Sequence, residues 1–303
     1  MIRSVEFSGA SENPYKIQLV RPSADSLIIQ DMDGLGAGKA DLHISPRASL
    51  DGDLFNGARV PSRNITMKLG SGLGLDPEDG RDIAYDILPI KQPVSLVFET
   101  SKKLVMIEGI VESHDPSIFT KEPALDISLR CIFPHFRSVD EDRTTIRMYS
   151  LENKFEFPFS NESLDEDLIE MGEHVLNQFV ELRYTGTETT GMLIRFMFRA
   201  PTTNPSVYSE RTDQTTRILS SKIRVGSTYG IQAGDIIEVD SVRGQRSIWL
   251  IRDHRRTKQL DALAPTSTWI ELKKGINPIS IQADSGINTF QTELIFDRYY
   301  AGI

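Results

Sequence analysis

The sequence predicts a mainly β protein of two domains, and three observations carry that reading. Apolar and polar residues alternate with a period of two through much of the chain. Clusters of Gly, Asn, Asp and Pro separate these runs, as turns separate antiparallel strands. Helix signals are confined to two short segments. At 303 residues the chain is long enough for two domains, each burying its own core.

The opening residues Met1–Phe7 pass straight into strand-like alternation, with no long apolar run of signal-peptide type, and no stretch has the roughly 20 apolar residues of a membrane helix. Asp76-Pro77-Glu78-Asp79 supplies an N-cap, a proline at the first helical position and acids in the first turn. Ile83, Ala84, Ile87 and Leu88 then form an apolar stripe, and Pro89 ends it, which predicts a helix over 77–88. Val94, Leu96 and Phe98 define the first strand of a hairpin that turns at 101–103 into Leu104–Val111. The chain is expected to cross over 112–124 and enter a strand ending at Phe133. Charged, non-periodic residues near 138–145 mark the domain boundary, giving domains 1–140 and 141–303.

Ser163-Leu164-Asp165-Glu166 reads as a capping box, with Leu164, Leu168, Met171 and Val175 at helical spacing behind it, or else as a lead into the strand Val180–Tyr184. Further on, Met192, Ile194, Phe196 and Phe198 share one strand face, opposite Arg195 and Arg199. Phe290, Thr292, Leu294 and Phe296 repeat the pattern. Such strands bury one face and leave the other wet, as in sandwiches or barrels.

Catalytic chemistry is not written into these residues. Gly34-Leu35-Gly36-Ala37-Gly38-Lys39 resembles a phosphate loop, yet Ala40 stands where Ser or Thr would hold magnesium and Asp33 where the first glycine belongs. It reads as a flexible glycine loop. Asp31-Met32-Asp33 and Asp51-Gly52-Asp53 lack the downstream glutamate of a calcium loop and read as turns. Histidines 43, 114, 135, 174 and 254 are scattered without metal-ligand spacing. There is no Gly-x-Ser-x-Gly elbow, and the acids at 165–167 are adjacent rather than opposed. No catalytic, metal or cofactor residue is therefore nominated, and no enzyme is expected. The single cysteine, Cys131, lies on the apolar parity of its strand and reads as a buried structural thiol.

A net charge of −9 argues against a tightly held nucleic acid, whose phosphates need Lys and Arg. The one basic cluster, Arg252–Lys258, reads as a solvated hairpin loop. Trp249 and Trp269 have aliphatic neighbours and read as core side chains.

Arg63–Lys68 after a glycine-rich loop, the helix, the hairpin, Ile110–Ser113 and Ile127–Phe136 follow one another in an order that resembles the distal tail proteins (Dit) of long-tailed, non-contractile phages, of a type infecting Gram-positive hosts. Tyr184–Gly191, Asn204-Pro205, Gly234–Asp240, Arg243–Trp249, Ser267–Trp269, Leu272–Asn277, Gly286 and Tyr299–Ile303 continue that order, with Thr187 in place of the usual acid. The resemblance implies a tail-tube-like N-terminal β-sandwich or barrel that forms a ring, and a galectin-like C-terminal β-sandwich. It further implies a homohexamer at the tail tip of a virion, assembled in the host cytoplasm. The expected partners are the tail tube protein, the tail-associated hub protein, the tape-measure protein and receptor-binding proteins, around a channel for DNA. Residues 50–75 and the hairpin tip at 101–103 are the candidate ring contacts. The competing expectation is a carbohydrate-binding adhesion module acting through the C-terminal sandwich and its tryptophans.

Overall fold

The computed structural model describes residues 1–303 except 10–12, 49–50, 118, 121–122, 140–142 and 153–172. The chain divides into two compact units, Met1–Glu141 together with Tyr299–Ile303, and Asp142–Arg298. Both are built mostly from β-strands, with one α-helix among the described residues.

In the first unit the strands are β1 (Ile2–Ser8), β2 (Tyr15–Gln18), β3 (Leu27–Asp33), β4 (Asp41–Pro46), β5 (Asp53–Arg59) and β6 (Arg63–Ser71). The helix α1 (Pro77–Ile87) follows, then β7 (Pro93–Thr100), β8 (Leu104–Ser117), β9 (Ala124–Cys131) and β10 (Phe136–Ser138). The main sheet has the order β2-β1-β7-β8-β9-β6-β3. Its edge strands approach each other, since the Leu27 N–H donates to the Tyr15 hydroxyl at 3.2 Å, so the sheet curls around its own core. Alternate residues point inward: Val5 and Phe7, Ile65 and Met67, Leu96 and Phe98, Ile127 and Leu129 are all buried.

Helix α1 lies against this core through Ala84, Ile87 and Leu88. The Glu78 N–H donates to the Asp76 side chain at 2.8 Å, closing the N-cap, and Pro77 at the first position has no N–H to satisfy. The hairpin tip is tied by Thr100, whose hydroxyl accepts from the Lys103 N–H and donates to the Lys103 carbonyl, both at 2.9 Å. Beyond it the chain does not cross over at residue 112. Strand β8 continues to Ser117, with a register shift between Val111 and Ser113 against β9. One extra residue in a strand reverses its inward and outward parity, so a continuous strand loses its period and reads as a connection.

The shifted parity carries His114 under the helix. Its ring stacks on Tyr85 at 5.2 Å, and its Nε2 is buried with no hydrogen-bond partner among the described residues. Burial pulls the imidazole's pKa below the ordinary histidine value, outweighing the Leu88 carbonyl and Asp115, which pull it up. A proton thus binds the unfolded chain, at about pH 6.5, more readily than the folded unit. The first unit should lose stability as pH falls through that value, and His114→Gln should flatten part of the slope. Thermal midpoints measured across that range in both proteins check this; equal slopes would refute it.

In the second unit the strands are β11 (Thr144–Arg147), β12 (Tyr149–Glu152), β13 (Glu173–Leu176), β14 (Phe179–Tyr184), β15 (Leu193–Phe198), β16 (Ser206–Ser209) and β17 (Gln214–Arg217). They are followed by β18 (Arg224–Val225), β19 (Thr228–Tyr229), β20 (Ile236–Asp240), β21 (Ser247–Arg252), β22 (Arg255–Lys258), β23 (Gly275–Gln282) and β24 (Phe290–Phe296). A six-stranded sheet, β11-β24-β15-β20-β21-β22, and a four-stranded sheet, β14-β23-β16-β17, are the two large sheets. Ile194, Phe196, Leu294, Ile237 and Leu250 from the first share one core with Leu182, Tyr184, Val207, Ile279 and Ile281 from the second. The capping box at 163–166 and the acids at 165–167 lie outside the described residues; where description resumes, Glu173–Leu176 is a strand paired with Tyr149–Glu152.

The turn residues of this unit have specific jobs. Buried Asn277 accepts from the Lys273 N–H at 3.0 Å and donates to the carbonyls of Lys273 and Gly275 at 2.7 and 3.0 Å, closing the Leu272–Asn277 turn. Ser241 accepts from the Met192 N–H at 2.8 Å. A Cβ at Gly191 would lie 2.3 Å from the Ser241 backbone, so only glycine fits there.

The last strand, β25 (Tyr299–Tyr300), pairs with β10. The sequence-based range 141–303 is corrected here: Tyr299–Ile303 cluster with the first unit. Tyr300 is an inward core residue there, and backbone pairing outweighs chain order.

Candidate functional site

The first unit carries a hairpin that its own core does not use. Among the described residues, strands β4 and β5 pair only with each other, as a separate two-stranded sheet. Leu42 and Ile44 alternate along β4, opposite Ala58 and Phe55, and the large side chains of that face are exposed. Of the expected contact range 50–75, β5 belongs to this arm, whereas β6 is an interior strand with Ile65, Met67 and Leu69 buried.

The root of the arm is rigid because of one arginine. Arg63 is buried and donates to four carbonyls: Pro134 at 2.8 Å, Gly34 at 2.7 Å, Gly36 at 2.5 Å and Ala301 at 2.5 Å. Its guanidinium also lies 4.8 Å from the Phe136 ring centre. The Ile303 N–H donates to the Leu35 carbonyl at 3.1 Å. The glycine loop read as flexible is thus pinned from two sides. Its glycines serve close approach: a Cβ on Gly34 would meet the Asn64 carbonyl oxygen at 2.2 Å. Asp31 and Asp33, read as turn residues, lie in β3.

On the outward face of the same sheet, Asp31, Lys68, Asp126 and Asp115 stand side by side across β3, β6, β9 and β8. With Asp33 they line an open groove of about 250 Å³ that is acidic despite its one lysine. Cys131 is buried, and burial pushes its thiol up to about 11, so it is no nucleophile at neutral pH.

The second unit has a charged row instead. Across the outward face of the six-stranded sheet, Arg147, Glu293, Arg195, Glu238, Trp249 and Lys258 are consecutive cross-strand neighbours. Glu293 is bridged by Arg147 at 3.3 Å and Arg195 at 3.2 Å; Glu238 is bridged by Arg195 at 2.9 Å and Arg256 at 3.0 Å. Trp249 is therefore not a core residue. It is half-buried on the outward face, with Arg256 at 4.4 Å and Lys258 at 5.6 Å from its ring centre. Trp269 is half-buried against the core, with Arg246 5.5 Å from its ring centre. The basic cluster is not wholly solvated either. Asp253 and His254 form the exposed turn, but Arg252 is largely buried in a pair with Asp235, at 2.7 and 2.6 Å. Among the described residues no group of three His, Cys, Asp or Glu is placed to hold a metal, and no helix is long and apolar enough to cross a membrane.

The surfaces described are thus an exposed apolar ribbon, its pinned root, an acidic groove and a row of paired charges. Residues 185–300 match the family model for the C-terminal domain of the siphovirus-type tail component. Those residues thus form a domain of that family.

Among solved structures, SPP1 Dit (gp 19.1), described as a paradigm of the hub adsorption apparatus in Gram-positive-infecting phages, aligns with a TM-score of 0.59 at 13% identity, covering 97% of this chain and 98% of that one. The phage P2 baseplate in its activated conformation with calcium aligns more weakly, with a TM-score of 0.46 at 11% identity and 98% coverage of both chains. No curated protein sequence matches the chain.

Proposed function

We propose that this chain is a siphovirus tail component that assembles into a closed homo-oligomeric ring, a hexamer, joining the tail tube to the hub at the tail tip. The arm carries this reading. A two-stranded ribbon is marginal alone in water, and one with an exposed apolar face calls for a protein to cover it. A ring closes through such heterologous contacts, repeated from copy to copy. The tail tube protein, the tail-associated hub protein, the tape-measure protein and receptor-binding proteins are its partners in this reading. The acidic groove of Asp31, Asp33, Asp115 and Asp126 belongs to the channel wall, where like charge keeps DNA moving.

Native mass and electron microscopy of the full chain, alone and with its tube and hub partners, test this. A six-fold ring with the acidic face inward is the expected result; a chain that stays monomeric in every mixture, or a basic channel wall, would overturn it.

The adhesion reading has one observation in its favour, Trp249 on an outward face. Yet a sugar stacking on that ring would have to displace Arg256, which also neutralises buried Glu238. The geometry favours assembly.

A further inference from the structure

We infer that the free edge of β14 pairs with β14 of a second copy, antiparallel and about a two-fold axis, so that their four-stranded sheets become continuous. The inference goes beyond the ring reading: ring neighbours meet through different surfaces, whereas here one surface meets itself. The two edges of the sheet β14-β23-β16-β17 are treated differently. The β17 edge is covered by the segment 264–268, where the Thr268 N–H donates to the Thr215 carbonyl at 2.7 Å and the Ala264 N–H to the Arg217 carbonyl at 3.0 Å. The Thr215 and Arg217 N–H groups donate in turn to the Thr268 and Ser267 hydroxyls, each at 3.0 Å. Among the described residues, β14 pairs with β23 alone.

Register decides which groups β14 offers. Glu181 stands opposite Pro278, which has no N–H, and the Ile281 N–H donates to the Gln178 carbonyl at 2.9 Å. Hydrogen-bonded and non-bonded pairs alternate along an antiparallel ladder. Val180, Leu182 and Tyr184 therefore bond to β23, and the N–H and C=O groups of Phe179, Glu181 and Arg183 point to the open edge. An unpaired edge of this kind is a template for another strand, and its side chains select which one. Glu181 and Arg183 are exposed, and their neighbours on β23, Pro278 and Ile276, carry no charge. With Leu182 opposite Leu182, each Glu181 stands against the other copy's Arg183, in the hydrogen-bonded pairs that the edge groups require. A slip of two residues either way would set Glu181 on Glu181 or Arg183 on Arg183, so charge fixes the register. Phe179, 53% exposed, then lies diagonal to the other copy's Arg183, within reach of its guanidinium. Strand β22, at an edge of the other large sheet, shows the contrast: its Arg255, Arg256 and Lys258 would repel a second copy.

Charge reversal in the full chain tests the contact. Native mass over a concentration series should show the assembly doubling, whether the unit that pairs is a single chain or a ring. Glu181→Arg sets like charges opposite each other across the axis, and so does Arg183→Glu. Each should weaken the doubling by about 10-fold or more. Mixing the two variants should restore it as a mixed pair, because every reversed residue then meets its opposite; the variant carrying both changes should restore it alone. Amide exchange reads the geometry: the N–H groups of Glu181 and Arg183 should slow only in the paired form, whereas that of Leu182, opposite Asn277, is slow in both. Doubling that is unchanged in both single variants overturns the inference. So do an unmodified chain whose mass never doubles, and single variants that come apart yet do not pair when mixed. Ring closure is read separately, from the number of copies in the unit that pairs, so either reading can fail alone.

Discussion

Replacing Arg63 with alanine is expected to lower the thermal midpoint of the first unit by roughly 10 °C and to leave the second unit unchanged. The physical reason is the number of groups that one side chain satisfies. Four carbonyls, from the glycine loop, the β9–β10 connection and the C-terminal residues, point at a single buried guanidinium. A buried acceptor left without its donor costs about 1–3 kcal/mol. Water reaches some of the vacated space, so a total of about 3–5 kcal/mol is reasonable, which translates to that midpoint shift. Arg63→Lys should recover little, because an ammonium cannot reach carbonyls in three directions from one plane. Deleting Tyr299–Ile303 should destabilise the same unit. Combined with Arg63→Ala it should cost less than the sum, since both remove the Ala301 contact. Calorimetry with unit-resolved hydrogen exchange reads all of this. A first-unit midpoint that moves by less than about two degrees in Arg63→Ala would show that the hub is dispensable.

Asp235→Ala is expected to do comparable damage to the second unit. Asp235 is 1% exposed, takes a two-point contact from Arg252 and accepts from the Gln232 N–H at 2.7 Å. Arg252 also donates to the Gly230 carbonyl at 2.8 Å, so the pair ties the β19–β20 connection to the end of β21. Removing one partner strands the other charge in the interior, at about 3–5 kcal/mol, whereas replacing both by apolar residues is often near neutral. The double variant Asp235→Ala with Arg252→Met should therefore be more stable than Asp235→Ala alone. Urea unfolding followed by a probe in the second unit decides it. If the double variant is the less stable of the two, the charge-stranding account is wrong and the loss lies in the loop itself.

Much of the architecture was legible locally. The α1 start is written in Asp76-Pro77-Glu78, because capping is a matter of neighbouring backbone groups. The inward faces of β7, β15 and β24 are written in their alternation, because a pleated strand has no other period. Turn residues such as Gly191, Asn277 and Gly286 stood out by type. The reasons they are needed became visible only once Ser241 and the carbonyls around Asn277 were in place.

The candidate site was harder to read. Leu42 and Ile44 alternate like residues of any half-buried strand, and nothing in 41–59 says that no second layer packs there. Trp249 was drawn to the core by its aliphatic neighbours, although Ile248 and Leu250 share the buried parity and leave Trp249 on the opposite one. Cation placement was out of reach altogether: Arg63 and Arg252 look like ordinary surface arginines beside any number of others.

By itself, then, the sequence determined the strand character, the helix α1 and a size sufficient for two domains. Each of these depends on residues close together in the chain. Tertiary structure alone decided which strands share a sheet, which charges meet and which apolar face is left over. Pairings such as Arg63 with Ala301, or Arg147 with Glu293, join residues far apart in the chain. Their energy comes from desolvation and geometry that exist only after the sheets have formed.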